Sequence, residues 1–209
     1  MIKEIFGKKL GMTQVFDENG NMFGVSVVEV EPVRILEKVI YPTKIRAKIG
    51  CFKVSPDRVN RLKKPLLGYF SKMGVEPYRM IKEVEIEDES NLEVNKDVGI
   101  EIFSEGDKVD VRAKNKGRGF QGGMRRHGWS GGPDSHGSMT HRRMGSAGAN
   151  TDPGRVVKGH RMPGHMGNSY VTIRNLRVLK IDKEKNVLFI QGAIPGSVKT
   201  ILKIKKVKR

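Results

Sequence analysis

The sequence predicts a mainly β protein whose β-domain is interrupted by one long, irregular, basic excursion. Three observations carry that prediction. Segments rich in β-branched residues and punctuated by turns occupy the first half of the chain, a glycine-rich window after them follows no hydrophobic period, and strand signals return beyond it. The 209 residues suffice for one full domain plus a large excursion, or for two small domains. A hydrophobic content of 37% can fill a core.

Residues 1–111 read mostly as strands. Asp17-Glu18-Asn19-Gly20 is a hairpin-type turn, and Phe23 to Glu31 (FGVSVVEVE) follows it as a strand. Further strands are predicted at Ile45–Val54, Ile81–Ile86, Val98–Phe103 and Lys108–Val111, the last two flanking the turn Ser104-Glu105-Gly106-Asp107. A short helical insertion near residues 57–74 breaks the series. Pro65 suits the first helical position of PLLGYFSKMG, and Gly74 suits its stop.

The excursion spans residues 112–169. The window 112–174 holds 14 of the 25 glycines and all five histidines. It carries 12 Lys/Arg against only Asp134 and Asp152, a net charge of +10 out of the chain's +17. Ordinary connections run to roughly 4–6 residues, so a stretch this long is either disordered or ordered by something outside the chain. Its scarcity of acids and its interspersed Arg, His and aromatic residues favour the second. Residues 170–209 resume the β-domain. Tyr170–Asn175, Leu176–Asp182 and Asn186–Gln191 form a meander with a turn over Asp182–Asn186, and Val198–Val207 alternates apolar and basic residues toward a basic tail.

The charge balance points to a polyanionic partner, with 40 Lys+Arg against 23 Asp+Glu and a pI near 10.1. A membrane surface is disfavoured, because no run of about 18 apolar residues and no basic amphipathic helix stands out. The N-terminal MIKEIFGKKLGMTQ lacks a continuous apolar stretch of the kind that directs secretion, so the cytoplasm is expected. Cys51 is the only cysteine, which excludes an internal disulfide and a Cys-based zinc site.

At the entry to the excursion, Lys114-Asn115-Lys116-Gly117-Arg118-Gly119-Phe120-Gln121-Gly122-Gly123 alternates cations with glycines whose backbone N–H groups can approach a phosphate. Gly117, Gly119 and Gly122 match the letter of a dinucleotide-binding GxGxxG. That site needs a helix to open immediately afterwards, and GMRRHGWSGGPDSHG is expected to hold none. The five histidines sit beside Arg and Lys, which repel a divalent cation, so no metal is expected. Each histidine either stacks on or hydrogen-bonds RNA, or is a solvated loop side chain. Phe120 and Trp129 lie among cations as base-stacking platforms would, although either equally suits an anchor at the base of the loop. Ser130, Ser135 and Ser138 near histidines lack the orienting acid and rigid scaffold that a nucleophile requires. Double-stranded DNA readers present a helix or β-ribbon to a groove, and neither is predicted here. An irregular basic strand suits the phosphate-lined crevices of folded RNA.

These residues resemble the bacterial ribosomal protein L-three family. The resemblance runs through GKKLGMTQVFDENG (7–20), KGRGFQGG (116–123), RRHGWSGGPDSHGS (125–138), PGRVVKGHRMPGHMGN (153–168), NLRVLKID (175–182) and GAIPGS (192–197), nearly the whole chain. It implies a translation-factor-like β-barrel with a long central extension that threads through large-subunit (23S) rRNA toward the peptidyl transferase centre. It also implies binding near the 3′ end of that RNA early in subunit assembly, beside proteins L-fourteen and L-nineteen. The family often has Ser or Thr where this chain has Asn115. Some members carry a methylated Gln two residues before the Pro-Gly of the tip, where this chain has Thr151, so that modification is expected to be absent.

The reading is a non-enzymatic structural constituent of the large ribosomal subunit, with no cofactor. A basic RNA chaperone acting in trans is the alternative, and an enzyme comes third. The expected rRNA contacts begin with Lys8 and Lys9. They continue at Lys114, Lys116, Arg118 and Phe120, at Arg125, Arg126, His127 and Trp129, and at His136, His141, Arg142 and Arg143. Arg155, Lys158, His160, Arg161 and His165 complete them on the return. Ala149, Asn150, Thr151 and Asp152 are expected at the extension tip, near the peptidyl transferase centre.

Overall fold

The computed structural model describes residues 2–42, 44–86 and 94–207. The chain divides into two units, Met1–Lys114 with Tyr170–Arg209, and Asn115–Ser169.

The first unit is built on a closed antiparallel barrel of six strands. They are β1 (Glu4–Phe16), β2 (Met22–Glu29), β7 (Lys108–Lys114), β10 (Tyr170–Asp182), β11 (Val187–Gln191) and β12 (Ile201–Lys206), in the order β1-β12-β7-β10-β11-β2. Closure leaves no free edge, so every strand is paired on both sides. Alternate residues point inward, as the two-residue period of a strand demands. Val109, Val111 and Ala113 of β7 and Leu202 and Ile204 of β12 are buried, while Arg112, Lys114 and Lys205 are solvated. The predicted turns are present. The Asp17 carboxylate accepts the Asn19 and Asn21 N–H groups at 2.9 and 2.8 Å, which closes the β1–β2 hairpin. The Asp107 carboxylate accepts from Ser104 N–H at 2.8 Å ahead of β7.

A four-stranded sheet comprises β3 (Val33–Ile40), β4 (Ile45–Lys53), β5 (Tyr78–Glu85) and β6 (Asp97–Val98). Ordered β5-β4-β3-β6, it shares the barrel's core through Ile35, Ile49, Cys51 and Val84. Burial pushes the Cys51 thiol up to about 12, so it is inert apolar filling. Helix α1 (Lys64–Met73) closes on Gly74 in the left-handed region at φ 64°, and Pro65 lies in its first turn. The helix buries Phe70 against Leu36 and Tyr78, with the Phe70 and Tyr78 rings 6.1 Å apart.

Several expectations are corrected. Val98–Phe103 is not a strand. After β6 the chain makes a 3₁₀ turn over Ile100–Ile102, which places Ile100 and Phe103 together in the core at the three-residue spacing of that helix. The two strands expected over 170–182 are one, β10, whose pairing register shifts between Ile173 and Leu176 with Asn175 at φ 57°. Strands β1 and β3 have no counterpart in the sequence reading. Adjacent cations at Lys8-Lys9 and a bulge between Lys9 and Gly11 break the alternation of β1. Lys208 and Arg209 of the expected basic tail lie outside the described residues. Among the described residues, no helix is long and apolar enough to cross a membrane.

Candidate nucleic-acid interface

The second unit has two arms. They are joined at their base, where Asn115 N–H donates to Ser169 O and Ser169 N–H donates to the Asn115 side-chain oxygen, both at 3.0 Å. Asn115 thus shapes the backbone. Above it, β8 (Gly119–Gln121) and β9 (Gly164–Met166) pair as a short antiparallel ribbon, with Phe120 opposite His165. The one-turn helix α2 (Gly123–His127) follows. The window therefore holds both a ribbon and a helical turn, contrary to the expectation of neither. Gly128, at φ 72°, ends the helix after a single turn and frees the chain to reverse. One turn does not build the aligned dipole that a dinucleotide site uses.

Trp129 packs inside the second unit. Its indole lies flat on Gly123, where an added Cβ would overlap the ring, and it stacks with His127 at 5.9 Å and 29°. The Arg126 guanidinium donates to Met162 O at 2.6 Å, and a His127 ring nitrogen lies 3.0 Å from the same oxygen. Arg126 and His127 thus bind one arm to the other, while Trp129 packs within the outgoing arm. Farther out, Gly132 N–H donates to His141 O at 2.8 Å. A hollow of about 650 Å³ lies beside these contacts, with Met124, Trp129, Arg143, His160 and Arg161 on its walls.

The remaining predicted contacts of this unit point to solvent. Lys116, Arg118, Arg125, His136, His141, Arg142, Arg143, Arg155, Lys158, His160, Arg161 and His165 are exposed, and Phe120 is 76% exposed. His141 lies 3.6 Å from the Asp134 carboxylate. Ala149, Asn150, Thr151 and Asp152 form an exposed turn between the basic runs. Both hydrophobic clusters of the described residues lie wholly in the first unit, and the second is held by hydrogen bonds and by the packing of Trp129 on Gly123 and His127. Among the described residues, no three His, Cys, Asp or Glu side chains converge as a metal site would.

Two expected contacts on β1 have other commitments. Lys9 is 8% exposed, and its ammonium donates to Ile194 O at 2.8 Å and Gly196 O at 3.3 Å. That ammonium secures the loop before β12. Lys8 pairs with Glu31 and lies 4.8 Å from the centre of the Phe52 ring. Sequence reasoning passed over Arg112 and Tyr170, which stand outward on adjacent barrel strands, 5.2 Å from guanidinium carbon to ring centre. Their strand alternation is the signal that points to them.

A family model described as ribosomal protein L3 matches residues 63–188. The large ribosomal subunit protein uL3 of Brachyspira hyodysenteriae is 46% identical over 205 residues, spanning 96% of this chain and 92% of that protein. The chain belongs to the ribosomal protein L3 family. Its similarity to the uL3 protein of Acetivibrio thermocellus is as broad, 42% identity over 210 residues, covering 98% of this chain and 97% of that protein. The L3 family match spans the whole excursion as well as strands of the barrel on either side of it.

Proposed function

We propose that this chain is a structural constituent of the large ribosomal subunit, located on ribosomes in the cytoplasm, and acts without catalysis by neutralising and shaping one rRNA architecture. The observation that carries the reading is the second unit. It is a cation-rich arm that contributes to neither hydrophobic cluster, in a chain of the L3 family. Such an arm gains its binding energy from phosphate neutralisation and its specificity from shape. The barrel, of the translation-factor-like kind, is the anchor on the subunit surface. The arm enters 23S rRNA near its 3′ end during early assembly, and its apex at Ala149–Asp152 approaches the peptidyl transferase centre. L-fourteen and L-nineteen are the neighbouring proteins. Exposed Lys116, Arg118, Arg125, Arg142, Arg143, Arg155, Lys158 and Arg161 supply the phosphate contacts, and Phe120 with exposed histidines supplies stacking.

Filter binding of the full chain to large-subunit rRNA across a salt series tests this. If about six to ten phosphates are neutralised, affinity falls roughly 10³–10⁵-fold between 50 and 200 mM salt. A flat salt dependence contradicts the proposal.

A further inference from the structure

Strand alternation and register bring a second set of cations together on the outer face of the barrel. Pairing sets Lys203 of β12 opposite Arg112 of β7, and Arg112 opposite Thr172 of β10. Two residues along, Lys114 stands opposite Tyr170. Lys82 and Glu83 of β5 and Lys199 of the loop before β12 complete the walls of a groove of about 500 Å³. Five cations and one acid face it. The acid, Glu83, is engaged by Arg46 at 3.5 Å and by the Tyr41 hydroxyl at 3.3 Å. Lys203 is engaged by Glu4 at 2.6 Å. Lys82, Arg112, Lys114 and Lys199 have no carboxylate partner among the described residues. Lys199 is held at φ 66°, where L side chains rarely settle, with its N–H donating to Lys9 O at 2.7 Å.

Tyr170 supplies what charge alone does not. The residue is 63% exposed, with the Arg112 guanidinium 5.2 Å and the Lys114 ammonium 5.8 Å from the centre of its ring. An acidic peptide would satisfy the cations and leave the ring in water. A nucleotide uses both, laying its base on the ring and its phosphates on the cations.

We propose that this groove binds an unpaired RNA segment, with Tyr170 as the stacking platform for one base and Lys82, Arg112, Lys114 and Lys199 holding the flanking phosphates. The site is distinct from the arm, and it rests on the RNA-binding reading above.

The test uses the full chain and a bromouridine-substituted oligouridylate, photo-crosslinked and mapped by mass spectrometry. Tyr170 is an expected crosslink site. Y170L weakens binding of the base-bearing oligomer about fivefold and leaves an abasic oligomer of equal charge unaffected, while Y170F retains wild-type affinity. Equal binding of the base-bearing oligomer by wild type and Y170L, with crosslinks confined to the arm, overturns the groove while leaving rRNA binding intact. Failure of the wild-type chain to bind large-subunit rRNA at all overturns the functional reading instead. If polyglutamate protects Tyr170 from crosslinking better than unmodified oligouridylate of equal charge, the groove is a protein site and the proposal fails.

Discussion

Arg34 and Asp97 show how one side-chain pair holds an edge of this fold. The guanidinium donates to both carboxylate oxygens at 2.7 Å, directly across the short β3–β6 pairing. That contact holds the Asp97 carboxyl below its ordinary 3.8. Asp97→Asn is expected to cost about 0.5–1 kcal/mol at neutral pH, the range of a partly exposed pair. Because the folded-state pKa is depressed, the unfolded chain binds the proton more readily, and the stabilisation is present above 3.8 and lost as pH falls through the lower folded value. Urea melts of both proteins check this. Their difference is constant from pH 7 to about pH 5 and closes below about pH 4, and one that persists in acid assigns the effect elsewhere. Gly123 supports a prediction of opposite sign to its propensity. Gly to Ala inside a helix ordinarily gains about 1 kcal/mol, but here the new methyl would overlap the Trp129 indole. Gly123→Ala is expected to displace the ring and shift tryptophan emission to the red. Trp129 is the chain's only tryptophan, so fluorescence reads this contact alone, and unchanged emission refutes the packing.

At the scale of the element, the arm separates anchoring from reach. Arg142 and Arg143 stand exposed before the apex, and Arg155, Lys158 and Arg161 after it. The apex itself carries no cation and offers little phosphate-binding energy. Replacing both Arg142 and Arg143 by Ala is expected to reduce the slope of log affinity against log salt by about two, and to lower incorporation into subunits. With the apex among rRNA phosphates, as proposed, Asn150→Asp sets a negative charge against them yet leaves the exposed cations of both arms in place. It is expected to incorporate nearly normally while altering sensitivity to antibiotics of the peptidyl transferase centre. The assignment is wrong if Asn150→Asp blocks incorporation as strongly as the double change, or if it incorporates and leaves drug response untouched.

On the scale of the whole molecule, the two units draw on different sources of stability. The first buries an apolar core, whereas the second contributes to neither hydrophobic cluster and rests largely on hydrogen bonds that water can replace. Brief trypsin treatment of the free protein is expected to cut at Arg142 and Arg143 first, then at Arg125. Arg126 lags because its guanidinium is held by Met162 O. The first unit survives as a resistant fragment, and the same sites are protected inside the ribosomal subunit. Equal resistance in both states would show that the arm is stable without RNA.

What was legible in the sequence is what depends on local chemistry. The turn at Asp17–Gly20, the helix stopped by Gly74 and the strands around Val25, Val109 and Leu188 each rest on a few neighbouring residues. The charge and glycine content of the excursion set it apart from the strands on either side, and the second unit occupies nearly the same residues. What only the tertiary structure decided depends on residues far apart in the chain. Lys9 has the sequence signature of an RNA contact, but its ammonium is taken by carbonyls 185 and 187 residues away. The packing of the Trp129 indole on Gly123 follows from a chain reversal at Gly128 that only the structure shows. Tyr170 and Arg112 lie 58 positions apart in the sequence, and no local pattern pairs them. Closure of the barrel does so, because antiparallel register fixes which side chains share a face once the strands are joined.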